Sequence, residues 1–164
     1  MAWTVSACSI IPGESAAGFG LSTSETVSRD NTPEFVDGVL ERHVRLTVPP
    51  GGLDSVVSGL LSIGVSTSTP EPFPDVELMI GPPIEDSVVV DEVGNPVWEW
   101  DLPLPEDCQD GCEILVPVSF EQIGEGSPPM FIWSASFGFE YESESLKPAA
   151  AEDMTAVIEP ADSE

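Results

Sequence analysis

Met130-Phe-Ile-Trp-Ser-Ala-Ser-Phe-Gly-Phe-Glu-Tyr-Glu142 decides the fold. Its odd positions are Phe131, Trp133, Ala135, Phe137, Phe139 and Tyr141. Its even positions are Met130, Ile132, Ser134, Ser136, Gly138, Glu140 and Glu142. Side chains alternate across a strand, so one face is aromatic and the other turns polar toward its end. A helix would not keep that period of two for so long. At about 3.3 Å per residue the stretch spans roughly 40 Å, and Gly138 is the expected place for a bend or bulge. Each large aromatic buries about 150–250 Å², so the row is expected to face a core. An exposed platform for stacking on sugars is the competing reading, disfavoured because large apolar patches are uncommon on soluble monomers.

The same alternation recurs on either side. Strands are expected at Trp3–Cys8 and at Gly18–Ser28, the latter with Phe19, Leu21, Thr23 and Val27 on one face. Val39–Val48 follows, with Val44, Leu46 and Val48 inward and His43, Arg45 and Thr47 outward. Val56–Thr67 is expected to point Val57, Leu61, Ile63 and Val65 inward. Shorter strands are read at Val76–Ile80, Ser87–Asp91 and Val97–Leu102, the last with Trp98, Trp100 and Leu102 sharing a face. Glu113–Glu121 sends Ile114, Val116, Val118 and Phe120 inward, and Pro117, which lacks an amide donor, argues for an edge or a bulge. A final strand is read at Thr155–Ile158.

Turn chemistry separates these segments: Pro12-Gly13, Asp37-Gly38, Pro49-Pro-Gly-Gly52, Gly81-Pro-Pro83 and Gly94-Asn-Pro96. Thr32 before Pro33 and Glu34 would cap one short helical turn. About ten short strands with almost no helical periodicity imply an all-β chain, an antiparallel β-sandwich that is jelly-roll-like or Ig-like. One domain over residues 1–158 is expected, followed by an acidic flexible tail, 159–164.

The chain has 164 residues, 41% of them hydrophobic, enough for a core of its own. Its net charge is −26, with 30 acidic residues against Arg29, Arg42, Arg45 and Lys147. Nucleic-acid binding and adhesion to anionic membranes both need Lys and Arg, so the first is excluded and the second disfavoured. No run of about 18 apolar residues predicts membrane insertion. Self-repulsion at low ionic strength points either to a salt-rich setting or to an acidic extracellular module. No complete secretory signal is read. Val5-Ser6-Ala7-Cys8 is similar to the end of a lipoprotein cleavage box, but too little precedes it, and Cys8 is expected to be a buried odd thiol.

Chemistry is sparse. His43 is the single histidine, so a Ser-His-Asp triad would have to use it, and a solvent-facing strand residue is the expected role. Paired carboxylates for glycoside hydrolysis are uninformative among so many acids. No catalytic residue is assigned, and the chain is not read as an enzyme. His43, Arg45 and Arg42 form a small cationic spot, read as a dock for carboxylates of a neighbouring subunit, with neutralisation inside the chain as the alternative. Cys108 and Cys112 flank a tight turn, and a disulfide between them would mark an oxidising compartment. No cofactor is required; calcium is the metal the acid-rich loops suit, with Glu106, Asp107 and Asp110 as one group and Asp86, Asp91 and Glu92 as another. These features predict a non-catalytic structural or interaction module. It would be a surface subunit of a virion or of a cell-surface assembly, homo- or hetero-oligomeric with other protein subunits. An extracellular carbohydrate- or calcium-binding module is the alternative, and the exposure of Trp98, Trp100, Trp133 and Tyr141 separates the two.

Overall fold

The structure is a computed structural model and describes residues 2–5, 17–27, 36–66, 76–90, 95–123 and 131–161. Ten strands are present: β1 (Ala2–Val5), β2 (Ala17–Val27), β3 (Val39–Val48), β4 (Val56–Ser66), β5 (Val76–Ile80), β6 (Asp86–Val90), β7 (Val97–Asp101), β8 (Cys112–Gln122), β9 (Phe131–Tyr141) and β10 (Thr155–Pro160). The only helical elements among the described residues are 3₁₀ turns at Glu144–Leu146 and Ala149–Asp153. The strands form two antiparallel five-stranded sheets, ordered β1-β2-β9-β4-β7 and β10-β3-β8-β5-β6.

The pairing has a simple logic. The outgoing run β2-β3-β4-β5 pairs with the returning run β6-β7-β8-β9, as β2 with β9, β3 with β8, β4 with β7 and β5 with β6. One long antiparallel ribbon is therefore rolled so that successive ribbon segments fall in alternate sheets. Two further ladders, β4 with β9 and β5 with β8, close the roll. This is the jelly-roll arrangement; the Ig-like alternative would need a different strand order.

The core follows from the alternation. Phe131, Trp133, Ala135, Phe137, Phe139 and Tyr141 are all buried. From the second sheet Phe120 meets this row, its ring centroid 4.9 Å from Phe131 and 5.2 Å from Trp133 in tilted and edge-on contacts. Such geometry suits the ring quadrupoles. Leu40, Val44, Leu46, Val76, Leu78, Val116 and Val118 complete the same apolar cluster.

Several local expectations need correction. Gly138 is no bulge: the ladders from β9 to β2 and β4 run through it without a shift, and a Cβ there would meet nothing within 4 Å. The irregularity lies on the neighbouring strand, between Val56 and Ser58. That extra residue reverses the local phase, so Val57, expected inward, is 61% exposed. Pro117 sits in a central strand, not at an edge. Its register partner on β3 is His43, and its carbonyl accepts from Gly81 N–H at 2.8 Å. Amide and carbonyl of one strand residue point to the same side, so the missing N–H faces β5 where β5 has just ended at Ile80. No ladder bond is lost toward β3. Glu159 and Pro160, expected in the tail, belong instead to β10 and pair with His43 and Arg42. The Pro12-Gly13 turn, the Thr32–Glu34 cap and Cys8 lie outside the described residues.

Asp37-Gly38 behaves as its sequence predicts. Both residues have positive φ, 53° and 81°, and the flanking Val36 and Val39 exchange backbone hydrogen bonds of 2.8 and 3.0 Å. Two successive positive φ values are what a two-residue hairpin loop demands.

Candidate functional site

Arg42 stands in the inward phase of β3, between Leu40 and Val44. Glu25 stands in the inward phase of β2, between Thr23 and Val27, and is the register partner of Trp133. The two charges meet across the sandwich. Arg42 Nε donates to Glu25 Oε2 at 2.9 Å and to Oε1 at 3.2 Å, and Trp133 Nε1 donates to Oε1 at 3.0 Å. A further donor, Arg42 Nη1, reaches the Glu41 carbonyl at 2.8 Å. The side chains of Arg42 and Glu25 are only 11% and 19% exposed. Such partners offset the cost of withdrawing a carboxylate this far from water. Glu25 was visible in the sequence as an acid on the apolar phase of Phe19-Leu21-Thr23-Val27.

Arg45 points outward, as expected, and is also engaged. Its Nη1 lies 2.7 Å from Glu113 Oε1 on β8, and its Nη2 lies 2.6 Å from Glu159 Oε1 on β10. The hydrogen bond that Arg45 donates to Glu159 is the main cause that raises its pKa above the ordinary value, with the charges of Glu159 and Glu113 adding to it. Both guanidinium groups of the expected cationic spot are thus neutralised within the chain. The His43 imidazole, on a half-buried residue of the same outer face, makes no hydrogen bond among the described residues. It borders a shallow depression of about 230 Å³ with Met79, Gly81, Pro117, Ser119 and Ala161.

Cys108 and Cys112 are joined, with Sγ atoms 1.99 Å and Cα atoms 5.1 Å apart. Gly111 closes their loop with φ of 91° and donates to the Cys108 carbonyl at 3.2 Å. The loop then docks on its neighbour, Gly51 N–H donating to the Gln109 carbonyl at 3.2 Å. Tyr141 extends the same end of the molecule by donating its hydroxyl to the Gly52 carbonyl at 2.8 Å. Burial pushes the Tyr141 pKa up to about 12.

Glu106, Asp107 and Asp110 are exposed and do not converge: no group of three ligating side chains forms among the described residues. Of the second acidic group, Asp91 and Glu92 lie outside the described residues. Asp86 is spoken for by Trp100, whose Nε1 donates to Oδ2 at 2.6 Å, and by the Ser87 amide at 2.8 Å. The Trp100 hydrogen bond, then that from Ser87, holds the Asp86 carboxyl below its ordinary pKa. This contact ties the edge strand of one sheet, β7, to the edge strand of the other, β6.

The four aromatic rings named from sequence fall into two groups. Trp133 and Tyr141 are buried at 0% and 1% exposure. Trp98 and Trp100 are half-buried and pack against the core. Comparison with protein-family models, with curated proteins and with solved structures finds no match.

Proposed function

We propose that this chain is a non-catalytic structural subunit of a larger protein assembly, on a virion or a cell surface, working in high salt. The burial of Trp133 and Tyr141, with Trp98 and Trp100 wedged against the core, carries the reading. A sugar-stacking platform needs coplanar exposed rings, and these rings serve packing. The jelly-roll arrangement is used by capsid subunits and by lectins alike, so it supports the proposal by analogy only. The charge of −26 with four Lys and Arg residues suits a setting where salt screens self-repulsion. The joined Cys108 and Cys112 suit an oxidising compartment outside the cytoplasm.

Light scattering after gel filtration tests the proposal, run in molar KCl and in dilute buffer, each with calcium or a chelator. A defined oligomer that persists in high salt is expected. A monomer at every salt, compact only with calcium, would replace the proposal with a ligand-binding module.

A further inference from the structure

Two chain segments cross between the sheets at the same end of the sandwich. Residues 49–55 lead from β3 in the second sheet to β4 in the first. Residues 102–111 lead back from β7 in the first sheet to β8 in the second. They meet on one rung, because Cys112, the first residue of β8, is the register partner of Val48, the last of β3. Among the described residues a single hydrogen bond joins the two segments, from the Gly51 amide to the Gln109 carbonyl at 3.2 Å. Gln109 lies inside the loop that the Cys108–Cys112 bridge closes.

We infer that this bridge is a redox-operated latch. Closed, it holds the two crossovers together; reduced by a dithiol, it frees them while the rest of the sandwich stays folded. The first support is its span. A bridge with a sequence separation of 4 joins no distant parts of the chain, and chain entropy gives least to the shortest loops. A chain of 164 residues has core enough to fold without a staple. What the bridge does fix is the direction of the Gln109 carbonyl. The second support is what leans on that carbonyl. Residues 49–55 include Ser55 at φ of 66°, a conformation serine seldom adopts, so their path depends on their anchors. Two anchors come from the end of β9 and the residue after it. The Tyr141 hydroxyl donates to the Gly52 carbonyl at 2.8 Å, and the Glu142 amide donates to the Ser55 carbonyl at 3.0 Å. The third anchor is Gln109. Gly111 seals the contact: a Cβ there would lie 3.1 Å from the Val48 carbonyl oxygen and 3.3 Å from the Pro50 ring.

The bridge is within reach of a reductant. Gln109 and Asp110 are exposed, and Cys112 is the more exposed of the two half-cystines. A thiolate of the dithiol attacks Cys112 Sγ, the S–S bond breaks, and Cys108 leaves as a thiolate that takes up a proton. The second thiol of the dithiol then displaces Cys112, which is protonated in turn. Two electrons have entered the bridge, and the dithiol departs as its own intramolecular disulfide. Glu106, Asp107, Asp110 and Glu113, all exposed, flank the pair in sequence. They repel an incoming thiolate, and molar salt screens that repulsion.

Hydrogen exchange on the full chain in molar KCl tests this, first oxidised and then reduced with excess dithiothreitol, without denaturant. A double variant, Cys108→Ser with Cys112→Ser, reads the open state without reductant. Near-UV circular dichroism of the buried Trp133 reports folding. Reduction should speed exchange at the Gly51 and Gly111 amides about tenfold or more, and at Val44 and Val116, in the middle of the β3–β8 ladder, by less than about twofold. The tryptophan band should persist, and reoxidation should restore slow exchange. Unchanged rates at Gly51 and Gly111 in the reduced protein would overturn the latch. Equal acceleration at Val44 and Val116 with loss of the tryptophan band would also overturn it, because the bridge would then be a staple for the whole fold. So would a bridge that dithiothreitol cannot open until urea is added. If the double variant alone fails to fold, the reduced wild type decides.

Discussion

The Glu25–Arg42–Trp133 contact makes a quantitative prediction. Exchanging Arg42 for Met removes a guanidinium that is 11% exposed and leaves a carboxylate that is 19% exposed beside a single indole donor. Breaking a fully buried pair costs about 3–5 kcal/mol, and breaking a surface pair about 0–1 kcal/mol. At these exposures Arg42→Met should cost about 2–4 kcal/mol. The second half of the prediction is non-additivity. Glu25→Gln keeps an oxygen to accept from Trp133 Nε1, so the double variant leaves neither an orphaned charge nor an orphaned indole. It should recover about 1–2 kcal/mol of the Arg42→Met loss. Urea unfolding followed by tryptophan fluorescence, at fixed molar KCl, reads all four corners of the cycle. If Arg42→Met costs less than about 1 kcal/mol, or the single costs add within about 0.5 kcal/mol, the charges are not coupled across the sandwich.

Other consequences are more local. The Cys108–Cys112 link closes a loop of sequence separation 4, for which chain entropy gives about 2 kcal/mol; Cys108→Ser with Cys112→Ser should lower stability by about that amount in urea unfolding. Gly111→Ala places a Cβ at φ of 91° and 3.1 Å from the Val48 carbonyl oxygen, so a loss of about 1–3 kcal/mol is expected from the same assay. Tyr141 is the chain's single tyrosine, so absorbance at alkaline pH reads it alone. Its folded pKa of about 12 lies above the ordinary 10.0, so its contribution is intact below pH 10 and falls away as pH rises toward 12. Ionisation with a midpoint near the ordinary value, in protein still folded by circular dichroism, would contradict the burial of its ring.

Much of the fold was legible because β alternation is a local signal. Val39–Val48 and Val76–Ile80 carry their own boundaries, and the aromatic row of β9 declares its buried face. What failed depended on neighbours. Pro117 reads as an edge residue in isolation, but its place is explained only by where β5 stops. The bulge at Val56 and Ser58 leaves no mark in a Val-Val-Ser run, whereas Gly138 invites one and has none. Gly138 stands in the outward phase of β9, between Ser136 and Glu140, where nothing crowds it. Glu25 was legible in its phase, yet its partner was not, because the Arg42 contact joins strands of different sheets. The arginines read as a cationic spot because their carboxylates come from strands distant in sequence, β2 across the sandwich for Arg42 and the neighbouring β8 and β10 for Arg45.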